Sequence, residues 1–302
     1  MMDKKIPYHD LILTSRIAAP SRDPFILRVG NTYYAYASTW TVCHSLTDSL
    51  AGPFTEPRVC VENPADYLEN QWAPEVYARD GRYYMITTYK STKTNHRGCG
   101  VFVSDSPEGP FRLASDGYVT PAEWDSIDGT LYIDEEGQPW MVFVHEWTCT
   151  EDSIGRMACA RLSPDLTHFV SEPVELFRAD DPDWSTRGVT DGCFLYRTTG
   201  GKLLMLWSNW DAEGYCVGVA ESESGRVTGP WRQRSGRLFS KEMTGEYDGG
   251  HGMLFTDAMG RLWMSLHSPN DPRDGRDETA VFVPLRDTGD DLVWDTAPRS
   301  LV

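Results

Sequence analysis

The sequence predicts an all-β protein, and within that class a five-bladed β-propeller with four antiparallel strands per blade. Three observations predict it. A strand, glycine turn, strand unit recurs five times; a second hairpin follows several of these units; and no apolar periodicity of the helical kind is sustained anywhere along the 302 residues. A β-sandwich would accommodate the strands but would not account for the recurrence. No Ser/Gly/Pro-rich linker interrupts the chain, so residues 1–302 read as a single five-bladed β-propeller domain.

The units are, in order, "RDPFILRVGNTYYAYAS", "WAPEVYARDGRYYMITT", "IDGTLYIDEEGQPWMVFV", "TDGCFLYRTTGGKLLMLWS" and "GHGMLFTDAMGRLWMSL". Each begins at a Pro or Gly (Pro24, Pro74, Gly129, Gly192, Gly252), runs through a short apolar strand, turns at a glycine and returns through a second apolar or aromatic strand. The repeat length is roughly 50–60 residues, a propeller-blade period. The second hairpin shows as "HSLTDSLAGPF", "VFVSDSPEGPFRL" and "VGVAESESGRVTGPW", each ending on Gly-Pro-aromatic, with a looser version, "ACARLSPDLTHF", in the third unit. The N-terminal residues are expected to close the ring with the last blade, and "ETAVFVPLRD" to supply the C-terminal strand.

The residue before each Pro or Gly forms a second column: Asp23, Ala73, Asp128, Asp191 and His251. In a propeller, rotation about the axis brings equivalent positions together, so three carboxylates and a histidine would converge at one mouth of the channel. A lone aspartate at a strand start is most simply a turn residue. A ring of them is different, because like charges at short range raise one another's pKa and burial adds to the cost. Acid–base chemistry needs such an arrangement and a fold does not.

Composition narrows the partners. A net charge of −17 argues against nucleic acid and against an anionic membrane surface. No run is apolar and long enough to span a bilayer. The 11 Trp, 14 Tyr and 11 Phe suit strands and flat-faced ligands such as sugars, although core filling takes the larger share. Seven cysteines, an odd number without C-x-x-C spacing, argue against a zinc site or disulfide framework and for free thiols in a reducing compartment. "MMDKKIPYHD" lacks the apolar core of a signal peptide, so the expectation is cytoplasmic, although a leader removed upstream would leave the same sequence.

With these residues in view, nearly the whole chain resembles glycoside hydrolase family 43. "SRDPFIL" resembles the first-blade motif carrying the general base, which implies that role for Asp23. "WAPEVYARDGRYYM" resembles the second-blade motif at Trp72, Ala73, Pro74 and Glu75. "SIDGTLYIDEEGQPWMVF" resembles the third-blade motif, whose aspartate orients the acid and tunes its pKa, implying that role for Asp128. "GGHGMLF" resembles the fifth-blade histidine motif at His251. The chain departs from the family in blade 4, where a glutamate normally serves as general acid and "VTDGCFLY" has Asp191, whose carboxyl stands about 1.5 Å further back. Glu146 in "VHEW" is the reserve candidate for the acid, a solvated strand-end glutamate being an equal alternative.

The resemblance implies an inverting glycosidase acting on plant-polysaccharide side chains or oligosaccharides, first an exo-acting α-L-arabinofuranosidase. A β-xylosidase, a galactan-acting hydrolase of the same family and a catalytically weakened carbohydrate-binding propeller are the alternatives. The chemistry requires no cofactor. The resemblance also implies a structural calcium in the central channel beside His251, the alternative being a hydrogen-bonding histidine without metal. For sugar contacts the candidates are Trp72 first, then Trp40, Trp124, Trp147, Tyr247, Glu75, Glu146 and His251, with Arg187 and Asn209 as weaker ones.

Overall fold

The computed structural model describes residues 13–14, 21–270 and 277–296. The numbering starts with β1 (Leu13–Thr14), which belongs to the last blade. Blade 1 is β2 (Phe25–Val29), β3 (Thr32–Ala37), β4 (Thr41–His44) and β5 (Arg58–Val59). Blade 2 is β6 (Tyr67–Arg79), β7 (Arg82–Ser91), β8 (Arg97–Ser104) and β9 (Arg112–Leu113). Blade 3 is β10 (Ser126–Ile133), β11 (Pro139–His145), β12 (Arg156–Arg161) and β13 (Val174–Arg178), and blade 4 is β14 (Asp191–Arg197), β15 (Leu203–Trp210), β16 (Tyr215–Ser222) and β17 (Trp231–Phe239). A one-turn helix, α1 (Lys241–Thr244), capped by the Ser240 side chain, leads into blade 5: β18 (Gly250–Thr256), β19 (Leu262–Ser268), β20 (Thr279–Asp287) and β21 (Leu292–Trp294). All strand pairs within the blades are antiparallel, and the five blades form a five-bladed β-propeller.

The hairpins sit where the turn residues put them. Val29 pairs with Thr32 across Gly30-Asn31, and Arg79 pairs with Arg82 across Asp80-Gly81. Ring closure follows the expectation for the N-terminus: β1 lies on β20 with Leu13 opposite Phe282. The C-terminal expectation needs one addition. The "TAVFVPLRD" strand is β20, the third of its blade, and β21 folds back onto its far end, with Leu285 opposite Trp294.

Apolar side chains between neighbouring blades make the core. Between blades 1 and 2, Trp40 packs with its ring 5.5 Å from both Tyr67 and Phe102. Between blades 3 and 4, Trp207 lies 5.2 Å from Phe177 and 5.3 Å from Trp184. Tilted and edge-on pairs of this kind add to area burial, because ring edges meet ring faces. This packing fixes the angle between blades, and so the spacing of the strand starts at the centre. The seven cysteines are unpaired and six of them are buried.

Candidate active site

At the start of each first strand the backbone passes through the left-handed region: Asp23 (φ 52°), Ala73 (44°), Asp128 (56°), Gly192 (52°) and His251 (58°). These five form an inner tier. The sequence column assigns Asp191 to it, and the structure corrects that assignment: Gly192 holds the place and Asp191 comes one residue earlier. Strand register agrees, since Ile127 faces Val144, Asp191 faces Ser208 and Gly250 faces His267. Asp191 therefore belongs to a second tier with Arg22, Trp72, Ile127 and Gly250. The glycine at 192 is a steric requirement, because a Cβ there would lie 2.8 Å from both Cα and Cγ of His251. Gly250 likewise leaves room for the Tyr215 ring, which a Cβ would meet at 2.3 Å.

The two tiers open on one cavity of about 260 Å³. Asp23, Asp128 and His251 line it from the inner tier, and Arg22, Trp72, Ile127 and Asp191 from the second. Glu146, Trp147, Trp210 and Tyr215 complete the wall. His251 Nδ1 stands 3.2 Å from Asp23 Oδ1 and 3.7 Å from Asp128 Oδ2. Asp23 Oδ2 accepts the Ser38 hydroxyl at 2.6 Å. Asp128 Oδ2 accepts the Gly192 amide at 2.9 Å, and Asp191 Oδ2 accepts the Tyr215 hydroxyl at 3.1 Å.

This geometry drives the carboxyls apart in acidity. Burial pushes Asp23 up, but the charge and hydrogen bond of His251, joined by His267, hold it well below the usual carboxylate range. Among the described residues Asp191 has no cation within ion-pair distance. Burial, then the negative charges of Asp128 and Asp23, push it up to about 8 against the opposing pull of His251 and Tyr215. Asp128 is raised, chiefly by burial. Burial disfavours the charge on His251, yet Asp23 and Asp128 outweigh it and the imidazole is pushed up to about 10. At neutral pH the cavity thus holds an ionised Asp23, a protonated Asp191 and a cationic His251. One group can accept a proton while another gives one.

Not every residue singled out from sequence reaches this cavity. Trp72 does, 38 % exposed, with the Arg97 guanidinium 5.8 Å from its ring. Glu146 and Trp147 do as well, and Glu146 is tied to Arg97 at 2.7 Å. Burial raises the Glu146 carboxyl above its ordinary value, and that ion pair only partly offsets the rise. Trp40 does not: it is 0 % exposed and its indole N–H donates to Thr87 Oγ1 at 2.8 Å, a core role. Glu75 is buried, accepts the Tyr77 hydroxyl and is absent from the cavity wall; burial pushes it up to about 7. Trp124 stacks on His145 at 3.9 Å instead. Asn209 is buried, its amide holding the carbonyls of Ala179 and Arg187 and the Ser185 hydroxyl. Tyr247 and Arg187 line an adjoining groove of about 790 Å³, which shares Trp210 with the central cavity. There the Arg187 guanidinium lies 4.7 Å above the Trp210 ring.

Sequence reasoning missed Arg22, Ile127, Trp210 and Tyr215. Register carries the signal for three of them. Arg22 and Ile127 immediately precede inner-tier residues, as Trp72 does. Trp210 occupies in blade 4 the place that Glu146 occupies in blade 3, two residues beyond Ser208 and Val144. Tyr215 starts β16 and reaches the cavity through side-chain length alone, which no repeat position announces.

The donor set does not fit the calcium expectation. Among the described residues no group of three or more His, Cys, Asp or Glu is arranged to hold a metal ion, and His251 Nδ1 faces two carboxylates. No helix of the described residues is long and apolar enough to cross a membrane.

A propeller whose central mouth gathers a low-pKa carboxylate, a high-pKa carboxyl and sugar-sized aromatic walls is built as a glycosidase. The chain belongs to glycosyl hydrolases family 43, whose profile matches residues 17–285. A curated relative from Cellvibrio japonicus, described as an extracellular exo-α-(1→5)-L-arabinofuranosidase, is 25 % identical over 84 % of this chain and 76 % of its own. Another from Bacillus subtilis, described as an extracellular endo-α-(1→5)-L-arabinanase, is 26 % identical over 71 % of this chain and 68 % of its own. The crystal structure of an endo-arabinase from Bacteroides thetaiotaomicron superposes with a TM-score of 0.78 at 36 % identity, covering 91 % of this chain and 97 % of that one. These relatives overturn the cytoplasmic expectation, since those from Cellvibrio and Bacillus are described as extracellular. Unpaired buried cysteines report on local packing and do not fix a compartment.

Proposed function

We propose that this glycosidase cleaves α-L-arabinofuranosyl linkages of arabinan by single displacement with inversion. Asp23 acts as general base and Asp191 as general acid. Asp23, held ionised by His251, takes a proton from a water as its oxygen attacks the anomeric carbon. Asp191, protonated to about pH 8, gives its proton to the departing glycosidic oxygen. Asp128 keeps Asp191 protonated through its negative charge and, by accepting the Gly192 amide, fixes the turn that carries the acid. The positive charge that develops on the ring in the transition state meets a predominantly acidic wall. Trp72, Trp147 and Trp210 offer faces for the sugar.

The opposed acidities of Asp23 and Asp191 across one sugar-sized cavity carry this reading. The arabinan specificity is supported by the relatives from Cellvibrio and Bacillus. The sequence expectation favours release of terminal residues. Internal cleavage is the second reading, favoured by the groove beyond Trp210, which has room for further residues of a chain. Glu146 is the weaker choice of acid because its Arg97 partner favours the ionised form.

Incubation with linear arabinan, followed by proton NMR of the first products, tests the reading. Arabinose or short oligosaccharides appearing first as the β-anomer support it. An α-anomeric first product would refute inversion, and no turnover of arabinan or of an aryl α-L-arabinofuranoside would refute the function. The ratio of arabinose to oligosaccharide in the same spectra separates terminal from internal cleavage.

A further inference from the structure

The blades share a device below the two tiers. Opposite the second tier stand Thr88, Val144, Ser208 and His267 on the second strands of blades 2 to 5, and Ser38 just past the end of β3, its amide donating to the Arg22 carbonyl at 3.0 Å. Four of these cap the inner-tier amide of the next blade. Ser38 Oγ accepts the Ala73 N–H at 3.0 Å, Thr88 Oγ1 accepts that of Asp128 at 3.0 Å, and Ser208 Oγ accepts that of His251 at 2.8 Å. Val144 cannot accept, and the Asp128 carboxylate serves Gly192 instead. In blade 5 the acceptor for Asp23 is an imidazole, with His267 Nδ1 3.3 Å from the amide nitrogen. A hydroxyl does this work in three blades, so a fully buried histidine exceeds what capping requires.

Two of the additional contacts lead to the catalytic carboxyls, one directly and one through Tyr215. His267 Nδ1 also lies 3.3 Å from Asp23 Oδ1; the one nitrogen serves these two partners in turn, accepting from the Asp23 amide when it carries no proton and donating to the carboxylate when it does. Its Nε2 meets Asn270 Oδ1 at 3.1 Å, and the same oxygen accepts Arg22 Nη2 at 3.2 Å. The imidazole stacks on Tyr215, with ring centres 5.5 Å apart and planes at 19°. Tyr215 donates its hydroxyl to Asp191. The Asp248 carboxylate closes the frame by accepting the backbone amides of both Tyr215, at 3.1 Å, and Asn270, at 2.9 Å.

Resting on the base and acid roles assigned above, we propose that His267 is a positioning residue that holds Asp23 by its edge and Asp191, through Tyr215, by its face. It touches no substrate. It sets the separation and aim of the two carboxyls, a matter in which about 1 Å can cost on the order of 100-fold.

The blade repeat supplies the test variant. His267→Ser restores the acceptor used in three other blades and removes the edge and face contacts. The expected result is a folded protein whose kcat on linear arabinan falls about 10- to 100-fold with KM little changed. The loss should be smaller on an aryl α-L-arabinofuranoside with a good leaving group, which depends less on the acid. Tyr215→Phe should reproduce the leaving-group dependence, and adding it to His267→Ser should cost less than the two separate losses combined. Should His267→Ser not fold, His267→Asn, whose carbonyl can stand where Nδ1 stood, takes its place with the same expectation for kcat on arabinan. Wild-type kcat in a folded variant would overturn the proposal, as would an equal loss on both substrates with no coupling to Tyr215→Phe. Asp23→Ala and Asp191→Ala run alongside: if both stay active, the base and acid assignment has failed, whatever His267 does.

Discussion

Blade 2 and its neighbours differ at one inner-tier position, and the difference separates scaffold from chemistry. Ala73 adopts the same left-handed backbone, φ 44°, as Asp23 at 52°, Asp128 at 56° and His251 at 58°. It receives the same cap from the preceding blade. A methyl group is thus all the propeller asks of this position. Aspartate and histidine tolerate the conformation better than most residues, but that tolerance does not explain three ionisable side chains packed around one cavity. On the proposed mechanism they are there for their protons.

The comparison can be broken most forcefully by making blade 1 resemble blade 2. Asp23→Ala is expected to keep the β circular dichroism of the wild type and to lose about 10³- to 10⁴-fold in kcat/KM on arabinan. Failure to fold would mean that the carboxylate is part of the scaffold after all. Asp191→Ala should cost about 10²- to 10⁴-fold on arabinan and distinctly less on an aryl arabinofuranoside whose leaving group needs no proton. Equal losses on both substrates would move the acid role elsewhere, with Glu146 next in line.

Gly192→Ala sharpens the contrast from the opposite side. Blade 2 accepts a Cβ at the inner tier, but at 192 it would lie 2.8 Å from His251. An overpacking cost of about 1–3 kcal/mol is expected, read as a lower midpoint in urea, together with reduced activity as His251 is displaced from Asp23. The smallest effect is expected from Asp191→Glu. The longer side chain advances the carboxyl by about 1.5 Å, and a rise in kcat on arabinan would identify side-chain reach as the limit set by aspartate.

Much of this was legible in the sequence, because the blade is a local pattern. Gly30, Gly81, Gly137, Gly200-Gly201 and Gly260 mark hairpins that form where their residues dictate. Repetition then brings Asp23, Asp128 and His251 together without any local signal. The one-residue error at Asp191 has a physical source: Asp128-Gly129 and Asp191-Gly192 read alike, yet blade 4 holds one more residue before the strand settles into register. The apolar strand gives the shift away, since Leu131-Tyr132 matches Leu195-Tyr196 in pairing, three residues after Asp128 but four after Asp191. Trp40 and Glu75 illustrate a different limit. Chain position alone does not say whether a side chain at a blade mouth turns into the cavity or between blades, and packing sends both inward to the protein. Tyr215 and His267 were unreadable for the converse reason, as their role depends on contacts between blades 4, 5 and 1 that no single repeat contains.

The central claim is that neighbouring charges set the acidities of Asp23 and Asp191 in opposite directions, and the pH dependence of kcat/KM tests it most directly. Asp23 must be ionised, which its lowered pKa secures through the mildly acidic range, and Asp191 must be protonated, which holds until about pH 8. Asp128→Asn removes a negative charge that raises Asp191, so the acid should ionise earlier. The expected result is an alkaline limb near pH 8 in the wild type, displaced downward by about one pH unit in Asp128→Asn. An alkaline limb that stays in place when the charge at 128 is removed would contradict the account.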